Sequence, residues 1–309
     1  RWVTPIKNMN RVTTTEVTAP QLAVTTVADS GPGSLRMALT EAATAFATGP
    51  AMITFNVPGP GPHLIEPATP LPSVGQPVTL DGFTQPGSVA GPDHAGTTLR
   101  IQIHGGGLGP DADGLILSGP GHSVRGLIFT GFSGRCLVLS NAPGTRIEQN
   151  WFGYDGVTGV AAGLRSAGEI RPQVVSSVAD LEVGSAIDLV GREAFPPNPV
   201  PSLDLLDNLI ANIRRTGIGV TRASDIAIRG ISVGLGQDGQ RFGVGGMTGI
   251  SLEEVSRVEV TRGAGEVLYG PNRVAGCVTA LSVRNSRDVV AQDNIFGGGE
   301  FGNWTLKNG

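Results

Sequence analysis

Lysine is almost missing from this 309-residue chain: Lys7 and Lys307 are the only two. Positive charge therefore rests on arginine, the net charge is −4, and no long basic run occurs. Phosphate binding needs a concentrated cationic face, so a nucleic-acid partner is not expected. Cysteine is scarce as well. Cys136 and Cys277 stand far apart, with no CxxC and no Cys/His cluster, which argues against structural zinc and c-type haem. No apolar run is long enough to span a bilayer as a helix, so no transmembrane segment is expected. The chain opens at Arg1 rather than Met, which reads as a processed or trimmed product from which a signal peptide could have been lost.

Glycine and proline are abundant instead, at 47 and 22 residues, yet hydrophobic residues still make up 39%. That is too apolar for disorder and lacks the triplet period of collagen. Glycine scattered among Val, Ile, Leu and Thr predicts many short strands separated by tight turns.

A repeat gives those strands an order. GLILSGPGHSVRGLIF from Gly114, CLVLSNAPGTRIEQNWF from Cys136, GIGVTRASDIAIRGISV from Gly217, GISLEEVSRVEVTRGAG from Gly249 and ALSVRNSRDVVAQDNIF from Ala280 share one pattern, with a looser copy at Ala186 and Ser202. Each has two apolar residues spaced by two, a polar link, and a second alternating strand ending at Gly or Asn. The leading apolar positions are Leu115, Leu137, Ile187, Ile218, Ile250 and Leu281. The turn positions are Gly126, Asn150, Asn208, Gly230, Gly263 and Asn294, the two residue types that enter the left-handed region most cheaply. No crossover helix fits between such short strands. The expected fold is all-β: a single-stranded right-handed parallel β-helix, or solenoid, whose coils stack about 4.8 Å apart over one continuous core. An antiparallel sandwich is the competing arrangement.

At the N-terminal side, SLRMALTEAATAF (34–46) puts Leu35, Leu39, Ala42, Ala43 and Phe46 on one helical face, with Ser34 as N-cap. A short helix there would cap the open end of the first coil. The expected organisation is an N-terminal extension over 1–30 and the β-helix over 31–309, with a loop excursion at 154–181 and a Pro-rich loop at 193–201. Cys136 and Cys277 fall four coil steps apart, roughly 19 Å, so an intramolecular disulfide is not expected. Cys136 alternates with Leu137 and is expected to face away from the core.

Two resemblances are visible. VTTVADSGPGSLRMALTEA (24–42), VTLDGFTQPG (78–87), DGLILSGPGHSVRGLIFTGFSG (113–134) and IEQNWFGYDGVTGVAAG (147–163) resemble secreted bacterial right-handed β-helix repeat proteins of the pectin-lyase-like superfamily. That resemblance implies an extracellular or cell-surface location. EVSRVEVTRGAGEVLYGPNRVAGCV (254–278) resembles the plug segment of TonB-dependent outer-membrane receptors. A receptor would carry a long β-barrel after its plug, and these residues also complete a coil in register with its neighbours, so the sequence alone favours the first resemblance.

Catalytic chemistry is not legible. Paired-Asp and Gly-His-Gly signatures are absent, and no Gly-x-Ser-x-Gly elbow occurs. Gly121-His122-Ser123 reads as a surface turn. Asp111 and Asp113 in PDADG are a candidate Ca²⁺ pair, the one cofactor the sequence suggests. Stacking would bring Asp207, Arg229, Arg262 and Asp293 into an outward column whose two guanidinium groups could clamp a uronate or sulfate. The leading expectation is a secreted or surface-displayed protein with a binding, adhesive or structural role, engaging polysaccharide. The alternatives are a polysaccharide lyase or glycoside hydrolase, or a subunit of an extracellular filament or larger assembly.

Overall fold

The computed structural model describes residues 21–44, 50–155, 183–190, 203–240, 247–262, 270–297 and 303–306. The Pro-rich loop, Gly263 and nearly all of the 154–181 excursion lie outside them. The described chain is mostly β, in three parallel sheets of nine, eight and seven strands, with no closed barrel. The first sheet runs from Gln21–Val24 through Ala51–Phe55, Val78–Asp81 and Ser123–Arg125 to Arg287–Ala291. The second runs from His63–Ile65 through Ile128–Thr130 and Trp151–Phe152 to Ile295–Phe296. The third runs from Leu115–Ser118 through Arg135–Ser140 and Val183–Val190 to Asn303–Leu306. From Leu115 onward the described strands visit the third, first and second sheet in turn. Every ladder between these strands is parallel, which excludes an antiparallel sandwich; among the described residues the one antiparallel bridge, Val89 with Thr98, lies in a loop.

The register places the repeat where its spacing implies. Leu115, Leu137, Ile187, Ile218, Ile250 and Leu281 face one another across successive strands. Leu80, Val124, Ile147, Leu205, Ile228 and Val260 form a matching buried column in the first sheet. In the second, Phe129 and Phe152 stack with ring centroids 5.2 Å apart. These columns belong to one buried cluster in which the three sheets and the helix pack on one another.

The helix spans Leu35–Thr44 and packs on Gln21–Val24 and Ala51–Phe55. Ser34 Oγ accepts from the Met37 N–H at 3.2 Å, the expected N-cap. Leu35, Ala38, Leu39 and Ala42 form its buried face; Ala43 is only partly buried. A single turn of 3-10 helix at Gly82–Thr84 is the only other helical element among the described residues.

Two local expectations need correction. The left-handed residue at the corner between the first and second sheets is Gly126, Gln149, Asp207, Gly230 or Asp293. The asparagines sit one position later and do something else. Asn150 and Asn208 are fully buried. Asn150 Oδ1 accepts from the Leu127 N–H (3.0 Å), and its amide donates to the Val124 carbonyl (2.9 Å) and to Asn208 Oδ1 (3.1 Å). Asn208 repeats the pattern, accepting from the Asn150 N–H and donating to the Ile147 carbonyl. Asn272 and Asn294 continue it further along the stack. Backbone groups freed by each corner are thus satisfied from inside by an amide ladder.

The second correction is Cys136, which is buried in the main core rather than facing away from it. It aligns with Gly114 and Ala186 at the start of the third sheet, a column of small residues where the chain turns and strict alternation fails. Neither cysteine forms a disulfide. Burial raises the Cys136 thiol well above its ordinary range, while Cys277 is partly exposed. Under native alkylation Cys277 should react first, and both should react without reductant once the chain is unfolded. A thiol that resists until reduced would contradict the coil order.

Candidate functional site

The outer faces of the coils carry arginines paired with carboxylates. Arg125 reaches Asp81 at 2.6 Å across adjacent strands. Arg146 holds Glu148 at 2.8 Å, and Arg257 holds Asp225 at 2.6 Å. Arg135 grips Asp113 at 2.6 Å and Asp188 at 3.2 Å. Burial alone would raise the Asp113 carboxyl; its bonds to Arg135 hold it below the usual range. Asp111 instead meets Arg215 at 2.9 Å. The two aspartates proposed for calcium are therefore each turned on an arginine, and a cation at Asp113 would have to displace Arg135. Among the described residues no group of three or more His, Cys, Asp or Glu converges.

The proposed outward column comes together only in part. Leu206 faces Arg229, so Gly230 is the residue level with Asp207. Ile228 faces Val260, and Val260 faces Ala291; continuing that register sets Arg262 beside Asp293 and leaves Arg229 one place out of line. Arg229 turns to Glu259 at 2.7 Å, while Arg262 and Asp293 are exposed. The two guanidinium groups do not share a rung. His122, expected in a surface turn, is buried, with Nε2 2.9 Å from the Ser118 carbonyl, and burial lowers its pKa.

Asp207 belongs to a different cluster. The outward face of the second sheet presents a stripe made by Gln102, Ile128, Trp151 and Leu209 in register. All four are buried, and Phe83 and Leu99, at the two ends of the segment 83–99, pack on the cluster that holds Ile128, Trp151 and Leu209. Leu99 and Tyr154 join Ile128, Trp151, Leu209 and Ala211 in a second small core, with Phe83 packed against it. Trp151 and Tyr154 meet edge to face at 5.5 Å. Tyr154, the first residue of the expected excursion, is thus part of this packing.

The crossing segment is tied at several points. Gln85 makes a reciprocal pair with the Val57 backbone at 2.8 and 2.9 Å. Gln149 Nε2 donates to the Gly91 carbonyl (2.7 Å) and to Asp207 Oδ2 (3.1 Å). Gln237 Nε2 donates to the Thr97 carbonyl at 2.8 Å. His94 Nδ1 lies 3.5 Å from Asp207 Oδ1, with the two side chains 14% and 8% exposed. Burial pushes the Asp207 carboxyl up to about 7, and Asp93 and Glu148 add to that. Burial also pushes His94 down to about 4. Sequence inspection singled out Asp207 but for the wrong neighbours, since its partners lie 58 positions earlier at Gln149 and farther still at His94.

Among the described residues no helix is long and apolar enough to cross a membrane. No curated protein matches the chain. A family model, the TonB-dependent Receptor Plug Domain, matches residues 179–277, under half of the chain. This match contradicts the expected pectin-lyase-like resemblance. It likewise overturns the expected extracellular location and the expected secreted binding, adhesive, lyase, hydrolase or filament-subunit roles. The Gly-punctuated alternating strands that carried the first resemblance are a backbone pattern, which does not select a function. The segment from Glu254 that resembles a receptor plug lies almost wholly inside the matched span. What the chain is similar to, over that span, is the plug of a TonB-dependent receptor.

Proposed function

We propose that the three sheets are the faces of a single-stranded right-handed parallel β-helix, and that this rigid body serves as a plug-type module of an outer-membrane receptor system. The β-helix reading is supported by the cyclic visiting of the three sheets and by the strong right-handed preference of parallel crossovers. In it, the described stack begins at Gln21–Val24, paired with Ala51–Phe55, so the boundary expected at residue 30 falls inside the stack.

The plug reading rests on one observation: the matched span, 179–277. It takes in nine strands, from Val183–Val190 to Arg273–Val274, with members in all three sheets. These strands pair with coils on both sides, so the matched residues are built into a longer stiff stack. Outer-membrane barrels have polar interiors, and the largest are plugged. An outer surface of paired arginines and carboxylates around a dry core suits such a lumen.

The test is density-gradient separation of the membranes of cells that produce the chain, with immunodetection. It should co-sediment with the outer membrane and resist a high-salt wash. Recovery only in the culture medium or the soluble fraction would overturn the proposal.

A further inference from the structure

We propose that residues 85–97 form a strap over the Trp151 stripe, latched by a His94–Asp207 pair that holds one proton between its two members. This inference is independent of the plug reading. The geometry carries it. The imidazole and the carboxyl face each other at 3.5 Å, each mostly withdrawn from water. Two protons on the pair would bury a net positive charge. No proton would bury a carboxylate beside Asp93 on the strap and Glu148 on the neighbouring corner. One proton makes the pair neutral, the state burial favours most. His94 also faces Asp93, which favours its charged form, and Arg273, two strand levels beyond Leu209, which disfavours it; burial outweighs both. Gln149 completes the latch by bridging the Gly91 carbonyl and Asp207.

The consequence is a strap whose closure is nearly independent of pH. With the strap open, the pair takes ordinary values, 6.5 for the imidazole and 3.8 for the carboxyl. Between about pH 4 and 6.5 the open pair also holds one proton, on His94. Closing moves that proton to Asp207, and none is exchanged with water. The two groups therefore have opposite pH dependences that cancel. Asp207, raised on closing, favours closure below pH 3.8 and loses that contribution as pH rises to about 7. His94, lowered on closing, favours closure above pH 6.5 and loses that contribution as pH falls to about 4.

Single substitutions should expose each half. The readout is hydrogen exchange at the Val89 and Thr98 amides, which bond each other's carbonyls at 2.8 Å and tie the strap to the residue that follows it. Protection there, relative to the core strands, reports strap opening. In the parent, protection should be flat from pH 4.5 to 6.5. In Asp207→Asn it should fall as pH drops across that range, by about tenfold per pH unit, the slope of one proton. In His94→Gln it should fall with the same slope as pH rises. Asparagine tolerates the left-handed backbone at position 207, so that variant keeps the corner; if it does not fold, His94→Gln alone decides. A parent that loses strap protection steeply with pH, or variants whose slopes share one sign, would overturn the single-proton latch.

Discussion

Asn208→Ala should be among the most damaging single substitutions in the chain, costing on the order of 3–5 kcal/mol in denaturant unfolding. The residue is fully buried and is bonded on every side within its corner. Its Oδ1 accepts from the Asn150 N–H at 3.0 Å and the Asn150 amide at 3.1 Å, while its own amide donates to the carbonyls of Ile147 at 2.8 Å and Leu206 at 3.1 Å. Alanine leaves the Asn150 N–H without a partner and removes one partner from the Ile147 carbonyl, in a site closed to water. An orphaned group costs about 1–3 kcal/mol, which is far more than the net worth of one exchanged hydrogen bond. Asn208→Asp should be comparably harmful, because an ionised carboxylate cannot donate to Ile147 and the neutral form that can is reached only at the cost of the pKa shift that burial imposes. A loss below about 1 kcal/mol for either variant would mean that water enters the corner and that the ladder is not structural.

Phe152→Ala should cost about 3–5 kcal/mol, through lost burial and the cavity left behind. Phe152 is fully buried and lies flat on Phe129, with an interplanar angle of 9°. It also stands opposite Ile210 in the next coil, so the cavity would open between two levels of the stack. Neighbouring coils cannot collapse into it, because their spacing is set by the backbone ladders on the three sheets. Phe152→Leu, which keeps much of the apolar volume, should cost clearly less. Equal losses for the two variants would point to a specific role for the ring rather than to cavity formation. Chemical denaturation with two probes, strand signal and Trp151 fluorescence, would also show whether the stack unfolds as one unit.

Much of this architecture was legible because it is periodic. Leu115, Leu137, Ile187, Ile218, Ile250 and Leu281 can be aligned by eye, and parallel in-register stacking converts such an alignment directly into neighbours. Ser34 and the apolar face behind it were legible for the same reason, since a cap and a 3.6-residue period are local signals. The corners were harder. Gly and Asn recur at equivalent-looking places, yet glycine there adopts the left-handed backbone while asparagine fills the interior one step later. A one-residue offset is invisible in composition and moves every outward residue to a different rung. That offset separated Arg229 from Arg262 and Asp207. Cys136 failed for a related reason: alternation predicts sidedness within a strand and not at the residue where the chain turns into it.

Local spacing and residue type determined that this chain builds short parallel strands, a helix at Leu35–Thr44 and a continuous aliphatic core, because those features depend on neighbours a few positions or one repeat apart. Tertiary structure decided the rest. It brought the loop at 82–99 over Trp151, set His94 against Asp207, and turned Asp113 on Arg135. These contacts join segments 22 to 113 positions apart in the chain with no shared period. Their energies come from desolvation and charge pairing in a closed space, and that space exists only once the coils have stacked.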